Sequence, residues 1–172
     1  MLRKLLAIII VISLLINPVC SYAAGKIFAF NPNPASSAMA DAGVALTSPF
    51  ITGNVLNPAS TIGVYRTVVS LATSNMTGDI QYNYGGVGFL SDIGVFGATL
   101  MYVDYNTDKY YDNIGQSLPG GTSYDLAATF TYALPIKKYL PVFIDYGGVG
   151  ANLKVMRSSL ADYIAETIAV DF

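Results

Sequence analysis

Residues 123–133 read Ser-Tyr-Asp-Leu-Ala-Ala-Thr-Phe-Thr-Tyr-Ala, and the alternation within them decides the fold. Tyr124, Leu126, Ala128, Phe130 and Tyr132 fall on one face. Ser123, Asp125, Ala127, Thr129, Thr131 and Ala133 fall on the other, which is polar or small throughout. Period two marks a strand whose two faces meet different surroundings. A run of about eleven residues with a tyrosine near each end of its apolar face suits a tilted membrane strand of ~9–11 residues with aromatic girdles. A strand of a soluble sandwich alternates in the same way but is usually nearer five or six residues.

Outward from this stretch the pattern repeats. Residues 67–75 set Val69 and Leu71 against Ser70, Ala72 and Ser74. Residues 79–90 set Ile80, Tyr82, Tyr84 and Leu90 against Gln81 and Asn83. Residues 93–104 are apolar on both faces. Residues 140–156 carry Asn152 and Lys154 opposite Leu153 and Val155, and residues 166–172 set Ile168, Val170 and Phe172 against Thr167, Ala169 and Asp171. Six strands are therefore expected. The connections are expected to alternate in length: short at 91–92 and 134–139, long at 105–122 and 157–165, with only 76–78 breaking the order. Such sorting is a habit of outer-membrane barrels.

The bulk composition agrees. The 172 residues are 53% hydrophobic and only 12% charged, against roughly 25% charged in ordinary soluble domains. Mean hydropathy is +0.48. The balance is mildly acidic, with nine basic and eleven acidic residues, and no basic patch offers itself to phosphates; a nucleic-acid partner is not expected. With no His and one Cys, most zinc sites and Ser-His or Cys-His centres are excluded by inventory. No enzyme activity and no cofactor is expected.

Residues 1–23 read as a secretory signal: Arg3 and Lys4, an apolar run over 5–16, then a Ser21-Tyr22-Ala23 cleavage site. Asn17-Pro18 breaks the run short of the ~20 residues that a membrane helix needs. Asn17-Pro18-Val19 is a poor context for lipidation of Cys20. Residues 24–65 follow as a separate segment, and residues 66–172 carry the strands. Within that segment, residues 36–60 are small-residue-rich and nearly uncharged, with Asp41 the one ionisable side chain. About two and a half helical turns are expected over 37–46, with Ser36 or Ser37 as N-cap, stopped by Pro49. Two readings stand: a loosely structured lead-in, or something that sits inside what the strands build.

One internal echo is present. Tyr84-Gly85-Gly86-Val87-Gly88 recurs as Tyr146-Gly147-Gly148-Val149-Gly150. Glycines in strands mark bends or a close approach of packed material. No helix follows either copy to make a phosphate site.

Met39-Ala40-Asp41-Ala42-Gly43-Val44-Ala45 with Asn57-Pro58-Ala59 resembles the N-terminal signature of FadL-like outer-membrane barrels, and more closely that of the PorV/PorQ-type families. Residues 150–154 and 169–172 resemble strand segments of the same families. Ala40 and Asp41 replace the usual glycine pair, and Ser60 replaces a glycine. The resemblance implies an all-β, antiparallel transmembrane β-barrel, of which about six strands are present here, with a short N-terminal helical plug or hatch. Six strands are too few for closure, so this chain is expected to be the N-terminal portion of a longer barrel. The resemblance implies a channel or transporter for small hydrophobic molecules in the bacterial outer membrane, with lipid around it and Met39, Val44, Leu46, Asn57, Pro58 and Ala59 at the gate or ligand. The alternative is a PorV-like component that docks secretion-system proteins. A secreted soluble β protein is the third reading.

Asp104, Asn106, Asp108 and Asp112 occupy calcium-loop spacings, but Lys109 stands where the loop needs Gly and Gly115 where it needs Glu; a solvated loop is the better reading. Asp125, Asp145, Asp171 and Lys154 are expected on the inner face, with partners that the sequence does not identify.

Overall fold

The computed structural model describes residues 26–76, 79–107, 110–118, 122–136, 147–160 and 163–172. The signal segment read over 1–23 lies outside them. Among the described residues eight strands are formed: β1 (Val68–Asn75), β2 (Gln81–Ser91), β3 (Gly94–Thr107), β4 (Tyr110–Tyr111), β5 (Ser117–Leu118), β6 (Thr122–Pro135), β7 (Gly148–Leu160) and β8 (Tyr163–Asp171). Six make one antiparallel sheet in the order β1-β2-β3-β6-β7-β8, while β4 and β5 form a small hairpin inside the β3–β6 connection. The protein is all-β, as its alternation implies.

Register sorts the side chains into two faces. On β6, the polar or small set (Ser123, Asp125, Ala127, Thr129, Thr131, Ala133) is buried, and its apolar set is partly or fully exposed. β7 repeats this, burying Asn152, Lys154 and Met156 while Leu153 and Val155 stay exposed. β2 and β3 depart from the rule, β3 by burying Val95, Met101 and Val103. On β2, Tyr82 and Tyr84, grouped by sequence with the apolar outer positions, are buried on the same side as Met101, Val103, Ala127 and Met156.

Three expectations are corrected. The helix expected over 37–46 is a single short turn, Pro34–Ala38, capped by Asn33 rather than by Ser36 or Ser37. Asn33-Pro34 supplies both an acceptor and a pre-set φ, a stronger start signal than the serines. Ala40 and Asp41 then take left-handed φ values of 53° and 64°, which ends the helix. The connections are not sorted by length either. β7 and β8 pair up to Leu160 and Tyr163, so only two residues join them, whereas β6 and β7 are separated by 136–147. The strand expected from residue 140 begins at Gly148, and residues 140–146 lie outside the described set. At the β2–β3 turn, Ser91 pairs with Gly94, whose φ of +141° favours glycine; the two turn residues are thus 92–93.

The N-terminal residues run over the covered face in three pieces. The 3-10 turn Pro58–Gly63 lies toward the β2–β3 turn, where Ile62 and Val64 pack with Val95 and Ala133. The 3-10 turn Ile51–Val55 lies over the middle of the sheet, and Lys26–Ala29 with Phe30 covers the end nearer β4 and β5.

Candidate functional site

The covered face is shaped for what lies on it. A Cβ at Gly97 would sit 2.3 Å from Ile51 Cδ1, one at Gly86 2.8 Å from Ile51 Cγ2, and one at Gly88 3.2 Å from Ile51 Cδ1. Three glycines of two adjacent strands therefore clear the niche in which Ile51 is fully buried. The second glycine motif does the same for the next turn: a Cβ at Gly150 would meet the Ala59 amide nitrogen at 2.6 Å, and one at Gly148 would meet Ile62 Cγ2 at 2.7 Å. The Tyr-Gly-Gly-Val-Gly echo thus marks two seats for one segment.

Between the seats lies Asn54, fully buried. Its Nδ2 donates to Thr131 Oγ1 on β6 at 2.8 Å and to Thr99 Oγ1 on β3 at 3.4 Å. Thr131 Oγ1 donates to Asn152 Oδ1 on β7 at 2.7 Å, and Asn152 Nδ2 returns to the Asn54 carbonyl at 2.8 Å. This closed ring pairs the amide donors of Asn54 and Asn152, the Thr131 hydroxyl and the Asn54 carbonyl, which burial would otherwise penalise. Asn54 Oδ1 has no partner among the described residues. The ring is also specific, since one residue of the segment reads three strands at once.

Of the charges expected on the inner face, Asp125 and Lys154 are buried there. Lys154 pairs with Asp171, and its Nζ lies 4.7 Å from the centre of the Phe28 ring. Asn152 Nδ2 adds a 3.3 Å contact to Asp171. Asp125 accepts from Tyr105 Oη at 2.8 Å and from Ser158 Oγ. Asp145 lies outside the described residues. Among the described residues, no cluster of His, Cys, Asp or Glu could hold a metal ion. In the calcium-like loop, Asp104 and Asp112 are turned to local work: Asp104 Oδ1 accepts the Asn106 amide, and Asp112 Oδ1 accepts the amides of Ile114 and Gln116.

The six site residues named by sequence separate into two groups. Met39, Val44 and Leu46 are exposed, on the irregular turns after the first helix. Leu46 faces a groove of about 520 Å³ with Phe50, Val69 and Leu71. Asn57, Pro58 and Ala59 lie in the turn seated on Gly150. One bond joins the groups: Asn57 Nδ2 donates to the Val44 carbonyl at 2.9 Å, while Asn57 Oδ1 accepts the Ala59 amide at 2.9 Å.

Ile51 and Asn54 were not singled out by sequence reasoning, and a signal for this region existed. Asn33-Pro34-Ala35-Ser36 recurs unchanged as Asn57-Pro58-Ala59-Ser60. Each copy starts a short turn with an asparagine cap and a proline. Each also buries its serine hydroxyl against a glycine, since a Cβ at Gly43 would lie 2.1 Å from Ser36 Oγ and one at Gly53 2.4 Å from Ser60 Oγ.

The uncovered face has the opposite chemistry. Register aligns Val69, Val87, Ala98, Phe130, Leu153 and Val170 in one row, and Leu71, Gly85, Leu100, Ala128, Val155 and Ile168 in the next. Phe89, Phe96 and Tyr132 stack along one border, with ring centres 5.6 and 5.0 Å apart. Tyr102 and Tyr124 stand toward the other border, where the charges Asp104, Arg157 and Glu166 begin. No protein-family model matches the chain, and no curated protein or solved structure is found similar to it.

Proposed function

We propose that this chain forms part of an outer-membrane β-barrel of FadL-like or PorV-like type, with residues 24–65 as an internal hatch. One observation carries the reading: the sheet covers its polar, glycine-rich face and leaves its apolar face bare. Two adjacent rows without a charge, bordered by aromatic rings, exceed what a monomer normally shows to water. Lipid is the solvent that suits them. Tyr124 and Tyr132 are about 27 Å apart along an extended strand. A tilt of roughly 40° shortens this to about 21 Å, near the ~25 Å apolar band of such barrels.

Closure needs strands beyond these six, because the smallest barrels of this kind have eight. β1 and β8 are separated by five antiparallel steps and so run in opposite directions. Any even number of added strands then joins them with antiparallel pairing throughout, and no edge amide is left in hydrocarbon.

Within this reading the barrel admits small hydrophobic molecules to or across the outer membrane, and Met39, Val44, Leu46, Asn57, Pro58 and Ala59 belong to the gate. A second reading, a docking component for secretion-system proteins, gains from the closely seated Ile51, since docking requires no passage. The test is recovery of the full-length protein in the outer-membrane fraction with heat-modifiable migration, followed by phenotyping of a deletion strain. Impaired uptake of hydrophobic compounds supports the transporter. Normal uptake with failed secretion supports the docking component. A product recovered in the aqueous fraction rules out both.

A further inference from the structure

We propose that the hatch is divided: residues 51–63 are a fixed internal core, residues 39–46 are a movable flap, and Asn57 is the latch between them. The division goes beyond the membrane reading and depends only on the covered face. Lifting residues 51–63 would vacate niches floored by Gly86, Gly88, Gly97, Gly148 and Gly150, which have no side chains to collapse into the void. It would also break the ring from Asn54 through Thr131 and Asn152, leaving buried polar groups unpaired.

Residues 39–46 are tied within the N-terminal segment rather than to the sheet: Asn31 Nδ2 donates to Asp41 Oδ1 at 2.7 Å, and Gly43 is packed closely on Ser36. Met39, Val44 and Leu46 are exposed, and Ala40 and Asp41 hold left-handed backbone that alanine and aspartate adopt at a cost. Their backbone bonds are local, from the Asp41 amide to Ser36 O, Ala42 to Met39 O and Leu46 to Gly43 O. Asn57 reaches across the division with both ends of one amide. Its Oδ1 caps the core turn at Ala59, and its Nδ2 holds the flap at the Val44 carbonyl. Releasing that second bond detaches the exposed apolar side chains of Val44 and Leu46 from the core without disturbing the seated turn, while Asp41 stays bonded to Asn31. An apolar ligand that prefers the freed Val44 and Leu46 would shift the flap by that preference alone.

Asn57→Asp separates the two roles, because a carboxylate still accepts the Ala59 amide but presents no donor to Val44 O. Hydrogen exchange on the full-length protein, read by mass spectrometry, gives the test. In the wild type, the amides of Ala42 and Leu46 are expected to exchange at least ~100-fold faster than those of Leu56, Ser60 and Val64. In Asn57→Asp, Ala42 and Leu46 should speed up a further ~10-fold, with the core amides changing less than ~3-fold. Uniform exchange across 39–64, or parallel loosening of both parts in the variant, overturns the division. Should Asn57→Asp not fold, the wild-type ordering decides alone. The predicted ordering in a protein that is recovered from the aqueous fraction upholds the division while ruling out the membrane reading.

Discussion

The two faces of the sheet obey opposite rules. The covered face buries Thr99, Thr129, Thr131, Asn152 and Lys154 beneath a segment that supplies Ile51, Val55 and Ile27 as its core. The uncovered face carries Leu71, Leu100, Phe130, Leu153 and Ile168 and buries none of them. A water-soluble sheet places these sets the other way round. The contrast teaches that exposure alone does not identify a surface. What matters is that the apolar side chains form continuous rows, while Thr99, Thr131 and Asn152 on the other face are hydrogen-bonded to Asn54 of the covering segment.

The comparison breaks most readily at the centre of the uncovered face. Leu100→Arg is expected to cost about 2–4 kcal/mol if that face meets lipid. A water-facing site would lose no more than about 0.5 kcal/mol. Denaturant unfolding of the protein from bilayers distinguishes the two. Next comes the covered face: Gly97→Val forces a side chain into the Ile51 niche, and about 1–3 kcal/mol should be lost. Adding Ile51→Ala should recover part of that loss, and a purely additive double variant would show that the niche is not what Gly97 serves.

Asn54→Ala should cost a similar or smaller amount, about 1–3 kcal/mol, since it strips the donor from Thr131 and Thr99. A double-mutant cycle with Asn152→Ala should show positive coupling through the shared ring. The smallest effect is expected where the faces stop mattering. Arg157 and Glu166 lie 3.8 Å apart at the border of the apolar rows, both well exposed, and Arg157→Gln should change stability by less than about 1 kcal/mol.

Much of this contrast was legible in the sequence. The alternation over 123–133 sorted Thr131 from Phe130 correctly, and Leu153 and Ile168 were likewise placed opposite Asn152 and Thr167. β2 misled because Tyr82 and Tyr84 are apolar by type but face inward, where Phe30 stacks on Tyr82 at 5.7 Å. Periodicity reports that two faces differ; only register against neighbouring strands says which face is covered. The first helix was misplaced because alanine content outweighed the Asn33-Pro34 start signal. Loop lengths were misjudged where strands ran past their clearest alternation, as β7 does to Leu160. Asn54 was not legible at all. Its importance comes from Thr99, Thr131 and Asn152, far away in sequence and brought together only by the sheet.

The central claim is that the uncovered face meets hydrocarbon, and its most direct test uses the absence of tryptophan from the sequence. Single tryptophans placed by Phe130→Trp, Ile168→Trp and Ala169→Trp in the full-length protein can be read by fluorescence in vesicles with brominated acyl chains. Strong quenching at 130 and 168 with weak quenching at 169 is the predicted result. Equal quenching at 168 and 169, or none at any of the three, would contradict it.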